Sequence, residues 1–251
     1  ETGITQLGGH AIYLSPETIQ LGKRETVHDA AKNFERWVDL IVARTFSHEL
    51  VADLAKYASI PVINALTDLF HPCQALANAL TVKEKFGKIE GLKLAYIGDG
   101  NNVANSLAAI YSKLGADFTI ITPDAYRCPE PIIEKARISA VETGGSIKET
   151  SNPAEGVKGA DMIYTDVWAS MGQEKEAEER KKIFMPYQLN SGLTSKASPG
   201  CMICHCLPAH RGEEITSDVL DSPESSVFDE AENRLHVQKA VMLHLKGKSV
   251  L

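Results

Sequence analysis

Short, mostly apolar runs alternate with stretches of helical periodicity along most of the chain, and this alternation constrains the fold most strongly. Runs in which most successive residues are apolar predict strands that are buried on both faces, which is typical of parallel sheets covered by helices. The runs lie at residues 40–43, 61–65, 92–97, 118–121, 160–165 and 201–204. The sequence therefore predicts an α/β protein with parallel sheets.

A break in the series predicts two domains. The segment Lys88-Ile89-Glu90-Gly91 separates an earlier β-α series from a fresh one. We therefore predict a first domain over residues 1–87, a second over 88–228, and a C-terminal helix within 229–251 that packs back toward the first domain. Each domain is expected to be a doubly wound parallel sheet, with an interdomain active-site cleft between the strand ends.

Composition excludes several classes of partner. The formal net charge is −7, and the absence of a basic stripe argues against nucleic acid. No apolar run approaches the roughly 18 residues that span a membrane. The chain has five cysteines, an odd number with three crowded together, which argues against a disulfide framework and favours a reducing compartment.

The segment 201–208 places a cysteine where a strand ends. Cys206 follows a short apolar run, and Pro208 cannot continue a strand ladder because it lacks an N–H. The pattern Cys201-x-x-Cys204-His205 matches a haem-attachment motif and could suggest zinc. Strand alternation points Cys201 and Cys204 to opposite faces, so that the thiols do not converge on one ion. We therefore predict no metal and no haem.

Polar or ionisable residues follow five of the predicted strands at their carboxyl ends. They are Arg44, His71, Asn102, Asp166 and Cys206. Taken singly, each has an ordinary structural explanation, respectively a surface ion pair, a loop cap, a helix cap, a turn former and a small buried residue. Because ligands bind outside the carboxyl ends of parallel strands, the five together predict one site.

The pattern Gly98-x-Gly100-x-x-Val103, with Asp124 after the next strand, partly matches a dinucleotide-binding fingerprint. Its third glycine is replaced by Val103, and two asparagines follow Gly100, so we predict no nucleotide cofactor. Two further stretches carry predictions of structure alone. Residues 11–14 are predicted to form a short strand, and the charged run 174–182 a solvated helix face.

Five motifs in order resemble the motif series of the ornithine carbamoyltransferases, over essentially the whole chain. The histidine-proline motif is shared with aspartate carbamoyltransferases, whereas the serine-methionine-glycine and histidine-cysteine-leucine-proline motifs are more specific to the ornithine enzymes. The five motifs are His71-Pro72-Cys73-Gln74, Asp99-Gly100-Asn101-Asn102, Asp166-Val167-Trp168-Ala169-Ser170-Met171-Gly172, His205-Cys206-Leu207-Pro208 and Glu232-Asn233-Arg234.

The resemblance implies transfer of a carbamoyl group from carbamoyl phosphate to the δ-amine of L-ornithine, which gives L-citrulline and phosphate in arginine biosynthesis or the urea cycle. It implies neither a cofactor nor a metal. The first domain would bind carbamoyl phosphate and the second L-ornithine. A homotrimer in the cytoplasm is expected, and the mitochondrial matrix and the plastid stay open.

The resemblance also assigns roles to residues. Arg44 and His71 would donate to the carbamoyl oxygen, and Cys206 would lie near the reacting amine, paired with Asp166. The implied carbamoyl phosphate-binding residues are Arg44, His71, Gln74, Cys206, Leu207 and Arg234. The implied ornithine-binding residues are Asn102, Asp166, Ser170 and Met171. The implied catalytic residues are Arg44, His71, Asp166, Cys206 and Arg234.

The sequence departs from the family pattern at one place. The Ser-x-Arg-Thr-Arg segment, by which the family holds the phosphate, does not occur in these 251 residues. The expected explanation is that the sequence represents a longer chain incompletely. Two alternatives stay open: a related carbamoyltransferase that acts on putrescine or acetylornithine, and a non-catalytic carbamoyltransferase-like binding subunit.

Overall fold

A computed structural model describes residues 1–169 and 176–247. The chain divides into two compact units, one of residues 1–73 with 234–251 and one of residues 74–233. These are called the smaller and the larger unit below. The sequence-based boundaries at 87/88 and 228/229, and the cleft expected between the domains, stay predictions.

The smaller unit contains a pair of parallel strands, β1 and β2, in which Ile41 lies opposite Val62. Helices pack on it through a small apolar core. The prediction of a strand over residues 11–14 is wrong: these residues form no strand, and Ile12 and Tyr13 are 66% and 75% exposed. The elements are α1 (Thr2–Gln6), α2 (Pro16–Ile19), α3 (Val27–Phe34), β1 (Ile41–Arg44), α4 (His48–Tyr57) and β2 (Val62–Leu66).

The larger unit is built on a five-stranded parallel sheet. Its strands are β3 (Lys93–Ile97), β4 (Asp117–Ile121), β5 (Ser146–Thr150), β6 (Met162–Thr165) and β7 (Met202–His205). Their order is β5-β4-β3-β6-β7. The chain thus builds outward from β3 to one side and then returns to the other side of β3. Ligands bind at such a reversal, outside the carboxyl ends of the two strands that flank it.

Helices cover both faces of this sheet, as the continuous apolar runs predict. Leu94 and Tyr96 of β3 belong to one buried cluster, and the alternate residues Ala95 and Ile97 belong to another. The helices are α5 (Pro72–Phe86), α6 (Asn102–Lys113), α7 (Glu130–Thr143), α8 (Pro153–Gly156), α9 (Ala177–Phe184), α10 (Ser191–Thr194), α11 (Ser217–Leu220) and α12 (Val227–Leu245).

Two of these helices contribute residues to both units. Helix α5 begins in the smaller unit and continues into the larger one at Gln74, and α12 leaves the larger unit after Asn233. Short 3₁₀ turns occupy Asp124–Tyr126 and Met185–Tyr187. Among the described residues, no helix has the length and apolar character needed to cross a membrane.

The charged run at 174–182 is only partly a solvated surface. Most of its described residues are exposed, but Arg180 on α9 is 4% exposed. The prediction is therefore wrong for Arg180, because this side chain turns inward to a buried carboxylate. Its contacts are described with the site below.

Candidate active site

Side chains from the tips of three neighbouring strands meet at the reversal point of the larger sheet. Asp166 follows β6, Cys206 follows β7, and Asn101 follows β3. The Cys206 thiol donates to Asp166 Oδ1 at 2.8 Å, and Asn101 Nδ2 donates to Asp166 Oδ2 at 2.7 Å. Both carboxylate oxygens of Asp166 are thereby held in fixed directions.

The Cys206 thiol is held in its protonated form. Burial is the main cause that raises the pKa of this thiol well above its ordinary value, and the neighbouring Asp166 carboxylate raises it further. A thiol needs a lowered pKa to act as a nucleophile near neutral pH. The arrangement therefore fits a hydrogen-bond donor to Asp166 and argues against covalent catalysis by Cys206.

Asn101 connects the site to the start of helix α6. Its Oδ1 accepts from the backbone N–H groups of Val103 and Ala104 at 3.0 and 3.1 Å, while its Nδ2 is directed to Asp166. The capping residue is therefore Asn101, and the structural explanation of Asn102 as the helix cap is wrong. Asn102 is the first residue of the helix, so the helix start presents it beside the capped turn.

Gly100 is explained by packing. A Cβ at this position would lie 2.4 Å from the backbone of Tyr126 and Cys128, so that only glycine fits beside this segment. The bare backbone that a pyrophosphate would need to approach at Gly100 is thus covered by residues 126–128. This geometry supports the prediction that the glycine pattern does not bind a dinucleotide.

A buried histidine–carboxylate pair shapes the turn that follows β7. The backbone N–H of Leu207 donates to His205 Nδ1 at 2.8 Å, so the ring proton lies on Nε2, which is 3.1 Å from Glu214 Oε1. The backbone N–H of His210 donates to the same Glu214 oxygen at 2.6 Å. These bonds stabilise Leu207 at φ 53°, a left-handed conformation that costs a non-glycine residue energy.

The same pair limits metal binding. Potential ligand atoms of Asp166, His205 and Cys206 lie within 4.8 Å of one another. Both His205 nitrogens, however, are engaged with Leu207 and Glu214, and the Cys206 thiol is protonated. The predicted strand alternation is also confirmed, because Cys201 and Cys204 belong to clusters on opposite faces of the sheet.

Three of the predicted site residues, all in the smaller unit, interact electrostatically. Burial is the main cause that lowers the pKa of His71 to about 3, and the charges of Arg234 and Arg44 lower it further. Arg44 is the last residue of β1, and Arg234 lies on α12. His71 is therefore a neutral imidazole within the electrostatic influence of two cations, an arrangement that suits an anionic or oxyanionic ligand.

A buried carboxylate on α12 organises a second polar cluster in the larger unit. Glu230 accepts from Gln74 Nε2 at 2.5 Å, from Asn78 Nδ2 at 3.0 Å and from the Tyr164 hydroxyl at 2.9 Å. The hydroxyl of Tyr111 in turn donates to Asn78 Oδ1. Burial raises the pKa of Glu230 to about 7, although the hydrogen bonds from its donors oppose this rise.

Arg180 connects α9 to the segment that follows β6. Its Nη2 lies 2.5 Å from Asp99 Oδ2, and its Nε donates to the Trp168 carbonyl at 2.5 Å. The guanidinium also lies over the rings of Tyr126 and Phe184, at 4.7 and 5.3 Å from their centroids. Arg180 thus holds the backbone two residues after Asp166 against the tip of β3.

Sequence reasoning missed Arg180, Glu214 and Glu230, although Gln74, a partner of Glu230, was among the predicted site residues. A buried histidine at 205 would have been the only signal for Glu214, since such a ring needs an acceptor. Ser170 and Met171 lie outside the described residues. The predicted meeting of Arg44, His71 and Arg234 with Asp166 and Cys206 stays a prediction, because each set belongs to a different unit.

Comparison with known families gives two matches that together cover most of the chain. The carbamoyl-phosphate-binding domain of the aspartate/ornithine carbamoyltransferases matches residues 1–84. The aspartate/ornithine-binding domain of the same family matches residues 90–245.

Individual relatives and solved structures agree with these matches. The ornithine carbamoyltransferase of Thermococcus kodakarensis is 57% identical over 98% of this chain and 78% of its own length. That of Bacillus subtilis is 53% identical over 99% of this chain and 79% of its own length. The solved structure of ornithine carbamoyltransferase from Pyrococcus furiosus superposes with a TM-score of 0.94 at 56% identity, over 97% of this chain and 78% of that chain.

Proposed function

Because the chain belongs to the aspartate/ornithine carbamoyltransferase family, we propose that it transfers the carbamoyl group of carbamoyl phosphate to the δ-amine of L-ornithine, which gives L-citrulline and phosphate. The observation that carries this proposal is the 2.8 Å contact between the Cys206 thiol and Asp166. It joins the two motifs of the chain that are most specific to the ornithine enzymes.

The reaction needs charge stabilisation at one atom. As the amine nitrogen bonds to the carbamoyl carbon, negative charge grows on the carbamoyl oxygen; the carbon–oxygen bond to phosphate then breaks, and phosphate leaves with its electron pair. Donors directed at such an oxygen contribute about 2.7–4 kcal/mol each. We assign this role to Arg44 and the neutral His71, with Arg234 supplying further positive charge. The low pKa of His71 supports the assignment, because its ring can donate without a change of protonation.

The carbamoyl nitrogen needs acceptors, because its two N–H groups are donors. We assign these acceptors to the side-chain oxygen of Gln74 and the backbone carbonyl of Leu207. The hydrogen bond from the Leu207 N–H to His205 supports the second assignment, since it holds the residue that carries this carbonyl at the turn after β7. We therefore assign His205 and Glu214 a positioning role.

The δ-ammonium group of ornithine must first lose one proton to solvent, so that the neutral amine attacks. The nitrogen releases a second proton after the new bond forms, and the leaving phosphate can accept that one. We assign Asp166 to the α-ammonium group of ornithine, and Asn102, Ser170 and Met171 to the remainder of that substrate. The fixed directions of both Asp166 oxygens support this assignment. The protonated Cys206 completes the carboxylate's hydrogen bonds without adding a second negative charge beside the substrate.

A product assay with parallel acceptors tests the proposal. The native full-length protein is incubated with carbamoyl phosphate and, separately, with L-ornithine, putrescine, acetylornithine or aspartate. We expect ornithine to be preferred by about a hundredfold in kcat/KM. Preference for putrescine or acetylornithine would support the related-enzyme alternative, and no product with any acceptor would support a non-catalytic subunit. Homotrimeric assembly and a cytoplasmic location are further proposals, which sedimentation and fractionation test.

A further inference from the structure

We propose that Glu230 is a positioning residue that determines which end of the Gln74 amide faces the carbamoyl nitrogen. This inference rests on the proposed function, because it concerns the substrate that Gln74 is assigned to hold. Glu230 is 0% exposed and Gln74 is 2% exposed. Their side chains are joined by the 2.5 Å hydrogen bond from Gln74 Nε2 to Glu230 Oε1.

The orientation of the Gln74 amide follows from the chemistry of its partner. An ionised carboxylate only accepts hydrogen bonds, so it selects the NH₂ end of an amide. Gln74 Nε2 therefore faces Glu230, and Oε1 is the end directed away from it. Oε1 is an acceptor, which is the group that the two N–H donors of a carbamoyl nitrogen require.

The other neighbours of Glu230 secure the carboxylate in this role. Asn78 Nδ2 donates to Oε2, and the Tyr164 hydroxyl donates to Oε1. The Tyr111 hydroxyl donates to Asn78 Oδ1, which fixes the Asn78 amide with its NH₂ toward Glu230. Donors thus approach both carboxylate oxygens, and the site favours a group at position 230 that accepts at each of them.

An amide at position 230 would break this pattern. In a Glu230→Gln variant, the new NH₂ must face either Asn78 or the pair formed by Gln74 and Tyr164. If the new NH₂ faces Gln74 and Tyr164, it donates to Gln74 Oε1, and the Gln74 amide must turn over to accept this bond. Nε2 instead of Oε1 is then presented to the substrate. The N–H groups of Gln74 Nε2 would then face the N–H groups of the carbamoyl nitrogen. Both sets of donors would lose their hydrogen bonds to water and form none with each other, which weakens binding.

The test compares carbamoyl phosphate with acetyl phosphate, in which a methyl group replaces the NH₂. Both are measured with the native full-length protein at about pH 8, the first as substrate and the second as competitive inhibitor. We expect Glu230→Gln to raise the KM for carbamoyl phosphate about tenfold, equivalent to roughly 1.4 kcal/mol. The inhibition constant of acetyl phosphate should stay within about twofold, because this ligand offers Gln74 no N–H.

Tyr164→Phe is the matched control, because it removes another donor to Glu230 Oε1 and leaves the carboxylate in place. It should lower the melting temperature without changing the affinity ratio of the two phosphates. A double-mutant cycle adds a second measurement: in a Gln74→Ala background, Glu230→Gln should have no further effect on the KM for carbamoyl phosphate.

Several results would overturn the inference. An equal loss of affinity for both phosphates would indicate general distortion of the fold, and additive effects in the cycle would show that Glu230 does not act through Gln74. If Glu230→Gln does not fold, Glu230→Asp keeps an acceptor-only group and should leave the affinity ratio of the two phosphates within about twofold; a selective loss for carbamoyl phosphate then overturns the inference. Failure of the unmodified protein to form citrulline would instead overturn the proposed function, and this inference with it.

Discussion

Replacing Arg180 by methionine is expected to destabilise the protein by about 3–5 kcal/mol at pH 8, because it leaves a buried carboxylate without its partner. The guanidinium lies 2.5 Å from Asp99, donates to the Trp168 carbonyl and packs on two aromatic rings. Methionine replaces the apolar contacts of the side chain and none of the polar ones. We therefore attribute the loss of stability mainly to the buried Asp99 carboxylate, which has lost its cationic partner.

The pH dependence of this loss follows from the pKa of Asp99. Burial raises it from 3.8 to about 6, even though Arg180 lowers it. An acid whose pKa is raised by folding stabilises the folded state below its unfolded pKa, and this stabilisation is lost as the pH rises through the folded pKa. For Asp99 the difference is about 3 kcal/mol between pH 3 and pH 8. Without Arg180 the pKa of Asp99 should rise further, so the effect of the substitution is larger at pH 8 than at pH 5.

Urea unfolding of the wild type and the variant at both pH values measures these differences. The double variant Arg180→Met/Asp99→Asn should recover most of the stability, because it buries no charge. Lys181→Met is the control at the neighbouring, more exposed position. It removes a surface ion pair with Glu213 and should lower the stability by less than about 1 kcal/mol. A loss below about 1 kcal/mol at pH 8, or equal losses at the two pH values, would refute the reasoning.

Two further predictions concern the site residues. Cys206→Ala should lower kcat about tenfold, as expected for one hydrogen bond to a charged group, and should change the KM for carbamoyl phosphate less; unchanged citrulline formation would remove Cys206 from the mechanism. Since its pKa is lowered to about 3, the His71 ring should show no NMR titration between about pH 5 and 9, and an inflection near pH 6.5 would contradict its burial. Its depressed pKa should also stabilise the folded state above about pH 6.5, an effect that is lost toward pH 3 and that His71→Gln should abolish.

The strands could be predicted from the sequence because burial on both faces leaves a local pattern. The positions of Asp166 and Cys206 after two such strands could be predicted from the sequence in the same way. The adjacency of β6 and β7, which joins the two side chains, depends on the strand order and has no local signature. Residues 11–14 illustrate the converse, because an apolar run forms a strand only where a neighbouring strand pairs with it.

Buried charges were the features that sequence reasoning could not find. Glu230 and Arg180 each follow an exposed acidic residue in a helix, and their own burial depends on distant partners. Gln74, for example, precedes Glu230 by 156 residues. The grouping of His71 with Arg44 and Arg234 was implied only by family resemblance, because no local pattern relates a strand end, a loop and a C-terminal helix.

The double use of Asn101 has a consequence for protein engineering. One side chain both begins a helix and orients a carboxylate of the site, through its oxygen and its nitrogen respectively. Aspartate could begin the helix but would place a second anion against Asp166, and serine could do so but is too short to reach it. Selection for heat tolerance and selection for turnover would therefore both retain asparagine at position 101. No substitution at this position would trade one property for the other.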